Sequence, residues 1–78
     1  MPEKEILEWL KLEKYRRLIE TCETTAMPAK EISKLISESA SETGDMLETL
    51  ERHGAVKHGE GGWKATELAI RVLNKYFR

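Results

Sequence analysis

Cysteine occurs once in this 78-residue chain, as Cys22, which excludes an internal disulfide. No apolar run approaches the roughly 20 residues of a membrane-spanning helix, so no membrane partner is expected. Neither sign of charge dominates: 13 Lys plus Arg stand against 14 Asp plus Glu, a net charge of −1. Attraction to nucleic acid must then come from local patches. Residues 1 to 12 intersperse Glu3, Glu5, Glu8, Lys4 and Lys11 among their apolar positions, unlike a secretory leader. With the lone thiol, this points to a reducing cytoplasm.

Catalytic patterns are missing as well. His53 and His58, even with Cys22 or Glu60 as a third ligand, match no known metal-ligand spacing. The glycines at 59, 61 and 62 precede no Lys-Ser or Lys-Thr step, so they form no phosphate loop. No Ser-His-Asp, Cys-His or paired-carboxylate set can be assembled. The expectation is a protein that is not an enzyme and uses no metal and no cofactor. A chain this short buries only about 60% of its unfolded surface, so a single domain over residues 1–78 is expected.

What is present is helical periodicity, interrupted once by a hairpin signal. No Gly or Pro interrupts residues 3 to 23, which favours one continuous or kinked N-terminal helix over residues 1–25. On such a helix Ile6, Leu7, Trp9 and Leu10 point one way while Tyr15, Leu18, Ile19 and Cys22 point the other. The first set is a candidate dimer or partner face, unless it covers the C-terminal helix of its own chain; a break near Lys11 to Lys14 is the alternative to continuity. Thr24, Thr25 and Pro28 end the helix, and Ala26 and Met27 suit a brief strand.

A second helix is expected from Pro28, in the first helical position, to about Ser37, with Ile32, Leu35 and Ile36 inward. After a turn at residues 38–40, Ser41 or Ser39 caps a third helix whose inward residues are Thr43, Met46, Leu47 and Leu50. Gly54 suits its left-handed end. Residues 55–65 read as a hairpin with a Gly-Glu-Gly-Gly tip, Trp63 and Ala65 on one face and Lys64 on the other. Thr66 then caps a last helix, residues 66–78, carrying Leu68, Ala69, Val72, Leu73, Tyr76 and Phe77 as an apolar stripe. That stripe is wider than a three-helix core requires, which adds Tyr76 and Phe77 to the candidate dimer face.

Three side chains admit two readings. Trp63 either caps the core beneath the hairpin, the simpler case, or stacks on a base. Cys22, inward at helical spacing, reads more simply as a small buried hydrophobe than as a redox sensor. Lys14 to Arg17, with Lys11, reads more simply as a solvated helix face than as a basic strip.

In the third helix the charged residues Glu42, Asp45, Glu48 and Glu51 are opposed only by Arg52. A phosphate backbone repels such a surface.

The order of elements and three fragments resemble the winged helix-turn-helix domain of small prokaryotic transcription regulators, including the MarR-like group. EISKLIS stands where that family has E-L-A-x-x-L-G, LERHGAV resembles its L-x-x-x-G-L-V, and WKATELA resembles its Y-x-L-T-x-x-G; together they span residues 31–69. Ser37 replaces the usual turn glycine and Ala69 the glycine after the wing. The resemblance implies a mainly α fold with a small β-hairpin, the helix-turn-helix at 28–54 and the wing at 55–65. It also implies a dimeric DNA-binding protein whose third helix enters the major groove while the wing touches the backbone or minor groove. Carried over by position, the reading surface is Ser39, Ser41, Glu42, Gly44, Asp45 and Glu48, with Lys30, Lys34, Arg52, Lys57 and Lys64 as basic candidates. The expected partner is double-stranded DNA, bound as a homodimer. The rival is a basic protein docked on Glu42, Asp45 and Glu48.

Overall fold

A computed structural model describes residues 2–78. In chain order the elements are α1 (Pro2–Leu10), α2 (Glu13–Thr21), α3 (Ala29–Ile36), α4 (Ala40–Arg52), β1 (Val56–Gly59), β2 (Gly62–Ala65) and α5 (Glu67–Phe77). The fold is mainly helical with one antiparallel hairpin, a layout compatible with a winged helix-turn-helix.

The N-terminal segment is two helices, which corrects the expectation of a continuous one. Leu12 adopts extended backbone angles (φ −80°, ψ 120°) as the residue before α2, and the chain turns there. The cause is the pair of opposed apolar stripes. A straight helix buries only one of them, whereas the break brings Ile6 and Leu10 into the same fully buried core as Leu18, Ile19 and Cys22. Arg16 Nη1 donates to the Leu10 carbonyl at 3.1 Å, satisfying an orphan acceptor where α1 stops. Burial of these side chains, each worth about 1.5–3 kcal/mol, outweighs the few backbone bonds lost at the turn.

The candidate dimer face is corrected with it. Ile6 and Leu10 lie inside their own chain's core, where α1 packs across α5. Trp9 is half-buried against the Tyr15 ring (centroids 5.0 Å apart), and Phe77 is half-buried beneath the Arg16 guanidinium (4.8 Å). Leu7 is half-buried and Tyr76 exposed, lining one surface groove with Glu3, Lys4 and Lys75.

α3 begins one residue later than expected, with Pro28 as its N-cap. Its inward residues are Ile32, Ser33 and Ile36, while Leu35, expected inside, is 56% exposed. Two inward isoleucines at i and i+4 define the narrow face of this eight-residue helix, and Leu35 falls outside it. Ser33 is tolerated inside because its hydroxyl donates to the Lys30 carbonyl at 2.7 Å. At the end of α3 Ser37 takes the left-handed conformation (φ 59°), and the Glu38 amide bonds back to the Ser33 carbonyl.

Of the two candidate caps for α4, Ser39 is the one used: its Oγ accepts from the Glu42 amide at 3.0 Å. Thr43, Met46, Leu47 and Leu50 are all fully buried, as their spacing requires. Gly54 ends the helix at φ +79°. In the hairpin Val56 pairs with Ala65, Lys57 with Lys64, His58 with Trp63 and Gly59 with Gly62. Met27 alone adds a third-strand bridge, exchanging two 2.8 Å hydrogen bonds with Trp63. Thr66 caps α5 through the Ala69 amide and donates to the Gly54 carbonyl, tying the hairpin base to the end of α4. Ala69 is fully buried, so the core accommodates its methyl.

The C-terminus is clamped by Arg78, which donates to both carboxylate oxygens of Glu23 at 2.9 and 2.6 Å. These hydrogen bonds hold the Glu23 carboxyl below its ordinary value. A depressed carboxylate contributes stability that is complete above the ordinary glutamate value and is lost as pH falls through the folded one. Thermal melts from about pH 6 to about pH 3 should therefore show Glu23→Gln less stable than the parent at the upper end, with the gap closing toward acid. A gap that stays constant would remove the clamp's role.

Candidate nucleic-acid interface

α3 carries exposed Lys30 and Lys34; α4 carries exposed Ser39 (its cap), Ser41, Asp45, Glu48, Glu51 and Arg52, with Glu42 and Gly44 half-buried. The hairpin carries exposed Lys57 and Lys64. Strand alternation sends Val56 and Ala65 into the core and the intervening Lys57–Lys64 rung outward.

Charge on this surface is sharply divided. Lys57 and Lys64 are directly opposed across the ladder, where like charges repel. Among the described residues neither lysine has an acidic partner within ion-pair distance, and the same holds for Lys30, Lys34 and Arg52. Asp45, Glu48 and Glu51 are likewise unpaired among them. Glu42 differs: its Oε1 accepts from Lys14 Nζ of α2 at 2.7 Å. That hydrogen bond, reinforced by the nearby Glu38, raises the Lys14 ammonium above its ordinary value.

The structure thus brings Lys57 beside Lys64, and Lys14 onto Glu42. It also sets the start of α3 against the hairpin, because Met27 and Pro28 lie against Trp63 and Gly62. Sequence reading placed Lys14 on a solvated face and missed its partner. No local pattern signals an ion pair across 28 residues.

The remaining singled-out side chains have structural surroundings. Trp63 is half-buried one rung below the hairpin tip, with His58, its cross-strand partner, stacked on it (centroids 4.4 Å apart). His53 is half-buried between the Trp9 ring (5.9 Å) and the Glu5 carboxylate (3.5 Å). Cys22 is fully buried, its thiol donating to the Leu18 carbonyl at 3.4 Å, and burial pushes that thiol up to about 11. A thiol so held is poorly nucleophilic at neutral pH, which favours the packing reading over redox sensing. Among the described residues no helix is long and apolar enough to cross a membrane, and no three His, Cys, Asp or Glu side chains converge as metal ligands.

No family model, curated protein or solved structure matches this chain. The functional reading therefore rests on the chemistry of the site.

Proposed function

We propose that this protein is a small winged-helix DNA-binding protein of transcription-regulator type, acting by binding without catalysis or cofactor. The observation that carries the reading is the Lys57–Lys64 rung. Two unpaired ammonium groups held side by side on an outward hairpin face cost the fold some repulsion, and an anion laid along that face offsets it. Duplex DNA presents such anions at about 1.7 Å of helix axis per charge, and a winged helix lays its wing along the backbone. Lys30 and Lys34 extend the contact onto α3, while Ser39, Ser41 and Gly44 offer uncharged surface at the start of α4.

A second copy fits the proposal. Leu7 and Tyr76 retain an apolar surface in the groove between α1 and α5. The longest dimension of the molecule is 29 Å, so two copies side by side can place their motifs about 34–36 Å apart, one turn of B-DNA. A monomer mass in sedimentation equilibrium at DNA-binding concentrations would remove the dimer.

One observation favours the rival reading of a basic protein docked on Glu42, Asp45 and Glu48: Lys14 takes up Glu42, but Asp45, Glu48 and Glu51 form an acidic row on α4 that is unpaired among the described residues. A salt titration with random duplex DNA separates the two. The DNA reading expects a dissociation constant of about 10⁻⁴ to 10⁻⁶ M at physiological salt and a log-log slope near −4 to −5 if all five basic candidates engage. Binding weaker than about millimolar even at low salt transfers the function to the acidic row.

A further inference from the structure

We propose that Lys14 is a positioning residue for DNA binding, masking the Glu42 carboxylate on α4 so that the first turn of the reading helix approaches phosphate without that negative charge. The inference rests on the DNA-binding reading and assigns a role to a side chain of α2 that lies outside the candidate contact set.

Three observations converge on it. Glu42 sits in the first turn of α4, where its amide donates to the Ser39 cap at 3.0 Å and so fixes the point from which its side chain extends. Its carboxylate is drawn 2.7 Å from Lys14 Nζ, and it is the one acid on α4 paired with a lysine or arginine among the described residues. The bridge spans 28 residues and joins two different helices, so it exists only in the folded chain. Asp45 and Glu48 follow on α4 with no such partner, which leaves the first turn as the least acidic part of the helix.

Both side chains are partly solvated, at 45% and 39% exposure, so as a contribution to stability the pair is a minor one. In binding, the pair acts by where it holds the carboxylate: released from Lys14 and standing about 7 Å from a phosphate in water, that charge weakens affinity roughly three-fold.

The test is a double-mutant cycle read by affinity for a random duplex at two salt concentrations, on Lys14→Gln, Glu42→Gln, the double variant and Lys14→Arg. Masking expects Lys14→Gln to weaken binding about three-fold with the salt slope unchanged, since no phosphate contact is lost. It expects the same substitution to change affinity less than about two-fold once Glu42 is already glutamine, and Lys14→Arg to restore parental binding. A loss that persists in the Glu42→Gln background, with the slope reduced by about 0.9, would show that Lys14 touches phosphate itself and overturn the proposal. So would unchanged binding by Lys14→Gln. A parent protein that binds no duplex at low salt ends the DNA reading as a whole, a result distinct from either. Circular dichroism of the four variants checks that each is folded.

Discussion

Replacing Gly62 with alanine is expected to destabilise the protein by about 3 kcal/mol or more, measured as a fall in the urea midpoint. Gly62 holds φ +117°, which L side chains rarely adopt, and a β-carbon there would stand 2.3 Å from the Met27 carbonyl oxygen, 2.4 Å from its carbon and 2.6 Å from the Pro28 nitrogen. All three are backbone atoms, so no rotamer change relieves the clash. The hairpin must move, and the two 2.8 Å hydrogen bonds between Met27 and Trp63 go with it. For a domain whose total stability is about 4–12 kcal/mol, this is a large fraction. Gly44 supplies the contrast. It lies inside α4, where an added methyl would meet nothing within 4 Å, and its change to alanine should add about 0.5–1 kcal/mol. A Gly62→Ala protein within about 0.5 kcal/mol of the parent would refute the close approach of the hairpin to residues 27 and 28.

Lys57→Gln combined with Lys64→Gln should have the opposite profile, leaving the fold intact while removing binding. Removing two opposed ammonium groups relieves repulsion, so stability should hold or rise by a few tenths of a kcal/mol. Affinity for random duplex at about 50 mM salt should fall about 10- to 100-fold, and the salt slope should become shallower by about 1.8, two contacts at about 0.9 each. The slope is the sharper readout, because it counts phosphate contacts regardless of how the protein sits on the duplex. If the slope is unchanged, the rung is not at the interface, and the observation that carries the DNA reading is gone. Stability kept while affinity falls is the signature of residues retained for binding.

Much of the fold was readable because caps, turns and periodicities act over a few residues. Thr43, Met46, Leu47 and Leu50 lie inward because i, i+3, i+4 and i+7 share a helix face. Gly54 takes the left-handed angle its position after a helix calls for, and Thr66 caps α5 with its hydroxyl. The basic candidates Lys57 and Lys64 were readable as hairpin residues, and strand alternation already separated Lys64 from the Trp63 face. Their register as a directly opposed pair followed from where the turn falls, at Glu60 and Gly61.

Other features were not readable, for one physical reason. Periodicity tells which face of an element is apolar without telling what covers it. Leu35 sits on an apolar-looking stripe yet is exposed, because nothing packs over that edge of α3. Ile6 and Leu10 resembled a surface offered to a second molecule, and α5 of the same chain takes them instead.

By itself the amino-acid sequence determined the inventory: a mainly helical chain with one hairpin, the helix end at Gly54 and the cap at Thr66, most of its inward residues and the acidity of α4. Only the tertiary structure decided that the N-terminal segment breaks at Leu12, that Met27 closes on Gly62 and Trp63, and that Lys14 answers Glu42. Each of these joins distant positions or depends on a single core shared by several elements. Such contacts arise when the chain closes loops to bury its apolar stripes together, a demand set by the whole fold that no local window contains.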